Sequence, residues 1–206
     1  MIETISNYFI NNSWESIGAI AGVISIYLNT RENPWGWPIG LLSVFCYLYV
    51  FWEVFLFGDV LLHLVYLIMG FYGWYQWVFG VSNSNGDNQK LEVKRGSTKK
   101  NLILLLIGAI STLIMGFLFS EFTENTLPYA DAFTTAFSLV GTYMLARKYI
   151  ENWLLWMIVN SACIIIYYIK GLEITTVLYC IYLILAFVGY FNWKKNLNSN
   201  YSETLL

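Results

Sequence analysis

The chain has 206 residues, of which 58% are apolar, 19% aromatic and 12% charged. Soluble domains carry about 25% charged residues. This chain has too few charged residues to cover its surface in water, so its composition excludes a water-soluble domain and indicates an integral membrane protein. The formal net charge of −2 is too small to indicate a class of partner. We expect the chain to reside in the lipid bilayer and to bind no nucleic acid.

Apolar runs that are long enough to cross a bilayer recur along the chain. A helix of about 20 apolar residues spans a hydrocarbon core of about 30 Å. We therefore predict an all-α fold with seven transmembrane helices. The predicted spans are Trp14–Leu28, Trp35–Trp52, Asp59–Phe79, Asn101–Phe119, Ala130–Ala146, Asn152–Ile169 and Ile174–Trp193.

Residues that lie 116 positions apart match without a gap. The matched pairs are Tyr27 with Tyr143, Arg31 with Arg147, Trp37 with Trp153, Leu62 with Leu178, Tyr66 with Tyr182, Gly73 with Gly189 and Trp77 with Trp193. Chance supplies leucine matches in an apolar chain, but not this set of tryptophans, tyrosines, glycines and arginines in one frame. The pattern predicts two copies of one three-helix unit, which is typical of transporters with a substrate site between the repeats.

The predicted organisation has five parts in chain order. These are a first three-helix repeat (1–80), a cytoplasmic linker (81–100), a linker transmembrane helix (101–120), a second three-helix repeat (121–193) and a cytoplasmic tail (194–206). Three spans reverse the direction of the chain and a single further span restores it, so both repeats point the same way in a parallel 3+1+3 arrangement. We expect the polar linker to be flexible and the tail to be frayed.

Basic residues are distributed unevenly between the two ends of the predicted spans. One end has only Lys170, whereas the other end has ten basic residues, which are Arg31, Lys90, Lys94, Arg95, Lys99, Lys100, Arg147, Lys148, Lys194 and Lys195. Basic residues of short loops favour the cytoplasmic side. This distribution predicts an outside N-terminus and an inside C-terminus.

The second span of the second repeat has a candidate binding face. Trp153 and Trp156 lie three residues apart and Asn160 lies four residues further, so the three share one side of a helix. Indole rings stack on flat heterocycles and attract cations, and a carboxamide orients a polar ring. Ordinary helix packing explains the same pattern equally well.

Three further residues are candidates for the substrate site. His63 is the only histidine and lies inside the third span, where polar side chains tend to face a cavity. Tyr179 is its counterpart in the second repeat. Asp131 begins the fifth span, and the outer loops carry several other acids, which favours a cationic or neutral solute. Satisfied packing of His63 and solvation of Asp131 are the alternatives.

Other features are interpreted structurally. Tryptophans near span ends are typical of interfacial belts; they are Trp14, Trp35, Trp37, Trp77 and Trp193. The three cysteines lie within apolar runs, so we interpret them as small apolar residues. Catalytic sets, metal-ligand spacings and phosphate-binding glycine loops are missing from the sequence. We therefore expect no enzyme activity, no cofactor, no metal site and no ATP-driven transport. A seven-helix receptor shares the predicted topology, but the repeat disfavours it.

Two stretches resemble the bacterial Pnu family of B-vitamin transporters. They are Tyr72-Gly-Trp-Tyr-Gln-Trp77 and Leu145-Ala-Arg-Lys-Tyr-Ile-Glu-Asn-Trp-Leu-Leu-Trp156, and the segment from Asp131 to Val140 is similar as well. The resemblance implies the 3+1+3 arrangement of SWEET-like transporters in the bacterial inner membrane. It implies facilitated diffusion of an unphosphorylated vitamin, which a cytoplasmic kinase traps without stable binding to the carrier. It also implies that Trp153, Trp156, Asn160 and Asp131 belong to the substrate site or its gates.

Members of this family carry nicotinamide riboside, thiamine or riboflavin. Nicotinamide riboside members often have glutamine where this chain has His63, so we interpret the sequence as favouring thiamine, with nicotinamide riboside as the alternative. Thiamine resembles nicotinamide riboside in being a cation with a flat ring. The sequence leaves open whether the carrier is a monomer or a homo-oligomer.

Overall fold

Seven α-helices make up nearly all of the part of the chain that the structure describes. The computed structural model describes residues 13–53, 55, 57–82, 88–89 and 91–203. The helices are α1 (Ser13–Thr30), α2 (Gly36–Glu53), α3 (Phe57–Phe79), α4 (Thr98–Phe122), α5 (Pro128–Ala146), α6 (Glu151–Ile169) and α7 (Glu173–Glu203). A short antiparallel pair, β1 (Val81–Ser82) with β2 (Asn88–Gln89), lies between α3 and α4. The helical fold class is thereby confirmed, and every predicted span coincides with a helix.

Length and composition allow three of these helices to cross a membrane: Thr98–Phe122, Glu151–Ile169 and α7 over Glu173–Asn198. Among them, α4 is the most apolar and has only Gly108 and Gly116 buried, so most of its side chains are exposed or half-buried. These two glycines lie against Phe137 and Tyr129 of α5. A helix of this kind suits a lipid environment.

The helices pack as two triplets. Within the first triplet, α2 contacts both α1 and α3; within the second, α6 contacts both α5 and α7. Two contacts join the triplets, one between α1 and α7 and the other between α3 and α5. Helix α4 packs against α5 and lies outside both triplets.

The turns after α1 and α5 have the same geometry. Glu32 and Lys148, which follow these helices, both have left-handed backbones, with φ of 55° and 53°. The amide of Glu32 donates to the Asn29 carbonyl at 3.1 Å, and the amide of Lys148 donates to the Leu145 carbonyl at 3.0 Å. A left-handed residue just after a helix is a common way to end it, although glycine is the usual choice.

Four tryptophans form the centre of the packing between the triplets. Trp37 and Trp77 meet edge to face with ring centroids 5.7 Å apart, and Trp153 and Trp193 do the same at 5.3 Å. The Trp77 indole donates to the Leu145 carbonyl at 3.3 Å, and the Trp193 indole donates to the Asn29 carbonyl at 3.1 Å. The interpretation of Trp37, Trp77 and Trp193 as interfacial anchors is therefore wrong, because all three are buried.

The segment before α4 differs from the flexible linker that the sequence predicted. Leu91 and Val93 are buried in the main apolar core. Lys94 pairs with the turn after α5, since its amide donates to the Lys148 carbonyl and its carbonyl accepts from the Ile150 amide, both at 3.0 Å. Residues 83–87 and 90 of the predicted linker lie outside the described residues.

The tail also differs from its prediction. Helix α7 continues past Trp193 to Glu203, and Leu197 is buried in the main core. The Asn196 side chain donates to Glu32 at 2.7 Å, which ties this helix to the turn after α1. Apolar and polar contacts thus extend the helix beyond the predicted span. Residues 204–206 lie outside the described part of the chain.

Candidate substrate cavity

A cavity of about 140 Å³ lies between α1, α2, α3 and α5. It is lined by Ser25, Asn29, Trp37, Gly40, Leu41, Val44, Tyr66, Gly70, Thr142 and Leu145. The lining comes from both triplets, because α5 contributes Thr142 and Leu145. None of these side chains carries a formal charge. The cavity is smaller than the roughly 300–1,000 Å³ of typical small-molecule pockets, so in this conformation it has room for only part of a ligand of that size.

The hydroxyl groups of the cavity are oriented by neighbouring backbone. The Ser25 hydroxyl donates to the Gly36 carbonyl at 2.6 Å, and the Thr142 hydroxyl donates to the Ser138 carbonyl at 2.8 Å. Since each proton is used in this way, each oxygen is left with acceptor lone pairs. Together with the Trp37 ring, these acceptors suit a ligand that donates hydrogen bonds or carries positive charge.

Two tyrosines connect the triplets, and one of them, Tyr66, lines the cavity. Tyr66 of α3 shares a hydrogen bond with Ser138 of α5. In the other contact between triplets, the Tyr182 hydroxyl of α7 lies 2.6 Å from the position that a Cβ on Gly22 of α1 would occupy. Tyr66 and Tyr182 are 116 residues apart, as are Gly22 and Ser138. The two contacts therefore join equivalent positions.

Trp153, Trp156 and Asn160 lie together on α6, as the sequence predicted, but they do not line the cavity. Trp153 is buried and its ring packs on Gly189 of α7. Trp156 is half-buried against both apolar cores and faces Gly141 of α5. Asn160 is buried. Their proposed contact with substrate stays a prediction.

His63 and Tyr179 both neighbour the tyrosines that connect the triplets. The His63 ring lies 5.8 Å from the Tyr66 ring, and its Nδ1 lies 2.9 Å from the Asp59 carbonyl one turn earlier. The Tyr179 ring lies 5.5 Å from the Tyr182 ring. Neither of the two predicted residues lines the cavity, and only His63 contacts a residue of its wall, Tyr66.

Asp131 has two polar partners. Its carboxylate accepts from Lys170 at 2.5 Å and from the Asn125 side chain at 2.6 Å. The predicted attraction of this acid for a cationic solute is reduced, because Lys170 neutralises it. We call this region, where Asp59, Asp131 and Lys170 lie, the acidic end.

The opposite region, which we call the basic end, contains Glu32, Lys94, Arg147, Lys148 and Asn196. Lys148 binds Glu32 at 2.7 Å, and its amine also lies 4.7 Å from the centre of the Trp77 ring.

Arg147, next to Lys148 at this end, donates to the Tyr72 hydroxyl at 3.4 Å. Burial is the largest single influence and opposes its charged form, but the interactions with Tyr72, Tyr149 and Tyr143 together outweigh it and place the pKa of Arg147 above its ordinary value. Arg147 therefore stays a cation and holds α3 to the end of α5.

The cavity-lining side chains Ser25, Asn29, Trp37 and Tyr66 were not among the predicted site residues. A signal for two of them was present in the internal repeat, since Trp37 is the counterpart of Trp153 and Tyr66 that of Tyr182. The indole nitrogens of Trp37 and Trp153 are both buried without a hydrogen-bond partner among the described residues. Buried donors without a partner are rare in native structures, and some of them have a functional role. Within the described residues there is no group of three potential metal ligands.

Comparison with known proteins covers almost the whole chain. Residues 12–195 match the family described as "Nicotinamide mononucleotide transporter". The nicotinamide riboside transporter PnuC of Escherichia coli is 25% identical over 94% of this chain and 90% of its own length. The riboflavin/roseoflavin transporter RibM of Streptomyces davaonensis is 26% identical over 87% of this chain and 83% of its own length.

The crystal structure of a vitamin B3 transporter PnuC has the same fold. It superimposes with a TM-score of 0.73 at 22% identity and covers 94% of this chain and 87% of that chain.

Proposed function

The chain belongs to the nicotinamide mononucleotide transporter family, and we propose that it carries nicotinamide riboside across the bacterial inner membrane by facilitated diffusion. The observation that carries this proposal is the uncharged cavity between α1, α2, α3 and α5, with its tryptophan ring and its acceptor hydroxyls. A flat cation with ribose hydroxyls complements these groups. The relatives named for nicotinamide riboside support the same substrate.

The cavity favours the riboside over the mononucleotide. A phosphate carries up to two negative charges and needs cationic or hydrogen-bond-donating partners, and burying a charge without them costs several kcal/mol or more. The cavity lining has no lysine, arginine or histidine. Uptake of an unphosphorylated vitamin also suits trapping, because phosphorylation inside the cell would create a product that the cavity rejects.

Thiamine is not proposed as the substrate. The preference for it rested on His63 alone, and His63 lies beside the cavity rather than on its wall. The relatives reported above are named for nicotinamide riboside and for riboflavin. Nicotinamide riboside, the alternative that the sequence left open, therefore has better support than thiamine.

We propose that the two triplets are parallel repeats in a 3+1+3 arrangement, with α4 as the connecting helix, and that transport proceeds by rocking of one triplet against the other. Equivalent contacts support this proposal: α1 with α7 and α3 with α5, and the paired indole bonds of Trp77 and Trp193. In such a carrier the substrate site lies near the midplane, at the interface of the repeats.

The proposed topology has seven crossings, with the N-terminus outside and the C-terminus inside. Four segments support it by meeting at the basic end: the turns after α1 and α5, the segment before α4, and the last part of α7. Helix α1 begins at the acidic end and α7 finishes at the basic end, so the chain must cross the membrane an odd number of times, and seven crossings satisfy this. The excess of basic residues in these segments favours the cytoplasm.

Thermal unfolding of the purified protein with a panel of vitamins tests the substrate. A ligand at 100 times its Kd stabilises the folded state by about 2.7 kcal/mol. We expect nicotinamide riboside to raise the melting temperature more than thiamine, riboflavin or nicotinamide mononucleotide at equal concentration. A larger shift with thiamine or riboflavin would overturn the assignment, and equal shifts with riboside and mononucleotide would overturn the argument from charge.

A further inference from the structure

Gly40 in α2 and Trp156 in α6 are equivalent positions with opposite side-chain sizes. A Cβ on Gly40 would lie 2.7 Å from the Ser25 hydroxyl of α1. At the equivalent place in the second triplet, the indole of Trp156 packs on Gly141 of α5, 3.1 Å from where a Cβ would lie. Ser25 and Gly141 are themselves equivalent. In the second triplet an indole packs against the facing helix, whereas in the first the glycine and the facing Ser25 both line the cavity.

We propose that Gly40 is a specificity-determining residue, whose missing side chain keeps open the part of the cavity that receives the substrate and limits the size of the group that enters. The inference rests on the proposed function in one respect, because it takes the cavity to be the entry point of a transported vitamin. The group that enters donates hydrogen bonds or carries positive charge, as a ribose or a pyridinium ring does.

The dimensions make this position sensitive to a single methyl group. Gly40 and Ser25 lie on facing helices, and both line the cavity. A methyl group at Gly40 would add volume to the wall of a cavity that measures only about 140 Å³. It would also displace the Ser25 hydroxyl, which donates to the Gly36 carbonyl at 2.6 Å.

Substitutions of Gly40 and Ser25 separate the effect of side-chain size on substrate binding from other effects of the substitutions. Gly40→Ala fills the space, and Ser25→Ala empties a similar volume on the facing helix. The double variant Ser25→Ala/Gly40→Ala therefore restores approximately the original room and removes the clash. Gly108→Ala is a matched control, because this helix glycine also faces a side chain, with a Cβ at 2.9 Å from Phe137, but lies on α4 away from the cavity.

The experiment measures the Kd of the substrate that the wild-type protein binds best, by calorimetry on the full chain in nanodiscs. Gly40→Ala should weaken binding at least about fivefold, which corresponds to about 1 kcal/mol, the lower end of what overpacking costs. In the Ser25→Ala background, which lacks the acceptor hydroxyl, the further change Gly40→Ala should alter the Kd by no more than about threefold. Gly108→Ala should leave the Kd of the wild type unchanged.

Unchanged affinity of Gly40→Ala would overturn the proposal, and so would a loss caused by Gly40→Ala that is as large in the Ser25→Ala background as in the wild type. If Gly40→Ala fails to insert, Ser25→Ala/Gly40→Ala is compared with Ser25→Ala/Gly40→Leu, and equal affinities would contradict the size limit. A wild-type preference for thiamine or riboflavin would refute the proposed substrate but would leave this comparison intact, since each variant is then measured with that vitamin.

Discussion

Lys148 and Glu32 occupy equivalent positions 116 residues apart and form an ion pair with each other, with Nζ and Oε2 separated by 2.7 Å. The pair joins the turn after α5 to the turn after α1, so it connects the two triplets at the basic end. The two side chains are only 5% and 19% exposed. A pair this deeply buried holds the triplets together at that end.

Removing one partner of the pair should destabilise the protein. Glu32→Gln and Lys148→Met each leave one charge buried without its counterion, which typically costs about 3–5 kcal/mol. Lys148 keeps its position over the Trp77 ring in the first variant, so we expect Glu32→Gln to be the milder change. Thermal unfolding in detergent measures both.

The double variant Glu32→Gln/Lys148→Met and the pair at the acidic end provide the controls. The double variant should recover part of the loss, because no uncompensated charge remains. Asp131→Asn breaks an ion pair whose side chains are 21% and 27% exposed, and it should cost about 1 kcal/mol or less. Equal effects of Glu32→Gln and Asp131→Asn would refute a special role of the buried pair.

Gly73 and Gly189 should tolerate no side chain. The ring of Trp37 lies directly over Gly73, and that of Trp153 lies over Gly189, 2.5 Å from the place of a Cβ. An alanine at either position would push a large buried ring, so we expect losses of about 1–3 kcal/mol. The two variants should give similar melting temperatures, because their surroundings are equivalent. A stable Gly73→Ala beside an unstable Gly189→Ala would contradict equivalent packing in the two triplets.

Trp156→Ala tests the predicted binding face of α6. Loss of an indole that stacks on a flat cation removes about 0.5–2 kcal/mol of binding energy, which corresponds to a Kd raised by up to about thirtyfold. Trp35→Ala is the matched control, since this tryptophan is 67% exposed. Binding is measured after the insertion of both variants has been verified. An unchanged Kd in Trp156→Ala would leave the α6 face as a packing surface.

His63→Gln tests the residue on which the thiamine preference rested. Glutamine can keep a polar group next to Tyr66 and can both donate and accept hydrogen bonds. We expect the variant to bind nicotinamide riboside at least as well as the wild type, with thiamine binding unimproved. The ratio of the two Kd values measures this effect. A strong loss of riboside affinity would show that His63 itself contacts that substrate.

The positions of the helices could be predicted from the sequence, but the roles of the tryptophans could not. Apolar runs of about 20 residues determine the spans directly, and α1 to α6 begin and end within a few residues of the predicted bounds. A tryptophan near a span end has the same local sequence whether it faces lipid or another helix. Trp77 and Trp193 were therefore misassigned, since their burial depends on contacts between the triplets.

The candidate site was only partly predictable for the same reason. The face of α6 follows from helical spacing, so Trp153, Trp156 and Asn160 were found together. The cavity depends instead on the absence of a side chain at Gly40 and on how α5 packs against the first triplet. A glycine in an apolar run indicates close helix approach, and spacing alone does not tell an open space from a filled one.

Counterflow in proteoliposomes tests directly whether the protein carries nicotinamide riboside by facilitated diffusion. Vesicles that contain the purified protein are loaded with unlabelled nicotinamide riboside and diluted into labelled riboside, without any gradient of sodium, protons or potential. This mechanism predicts a transient accumulation of label inside the vesicles. Excess unlabelled riboside in the outer solution should abolish this accumulation, and nicotinamide mononucleotide should not. Absence of accumulation until an ion gradient is imposed, or accumulation of thiamine but not of riboside, would contradict it.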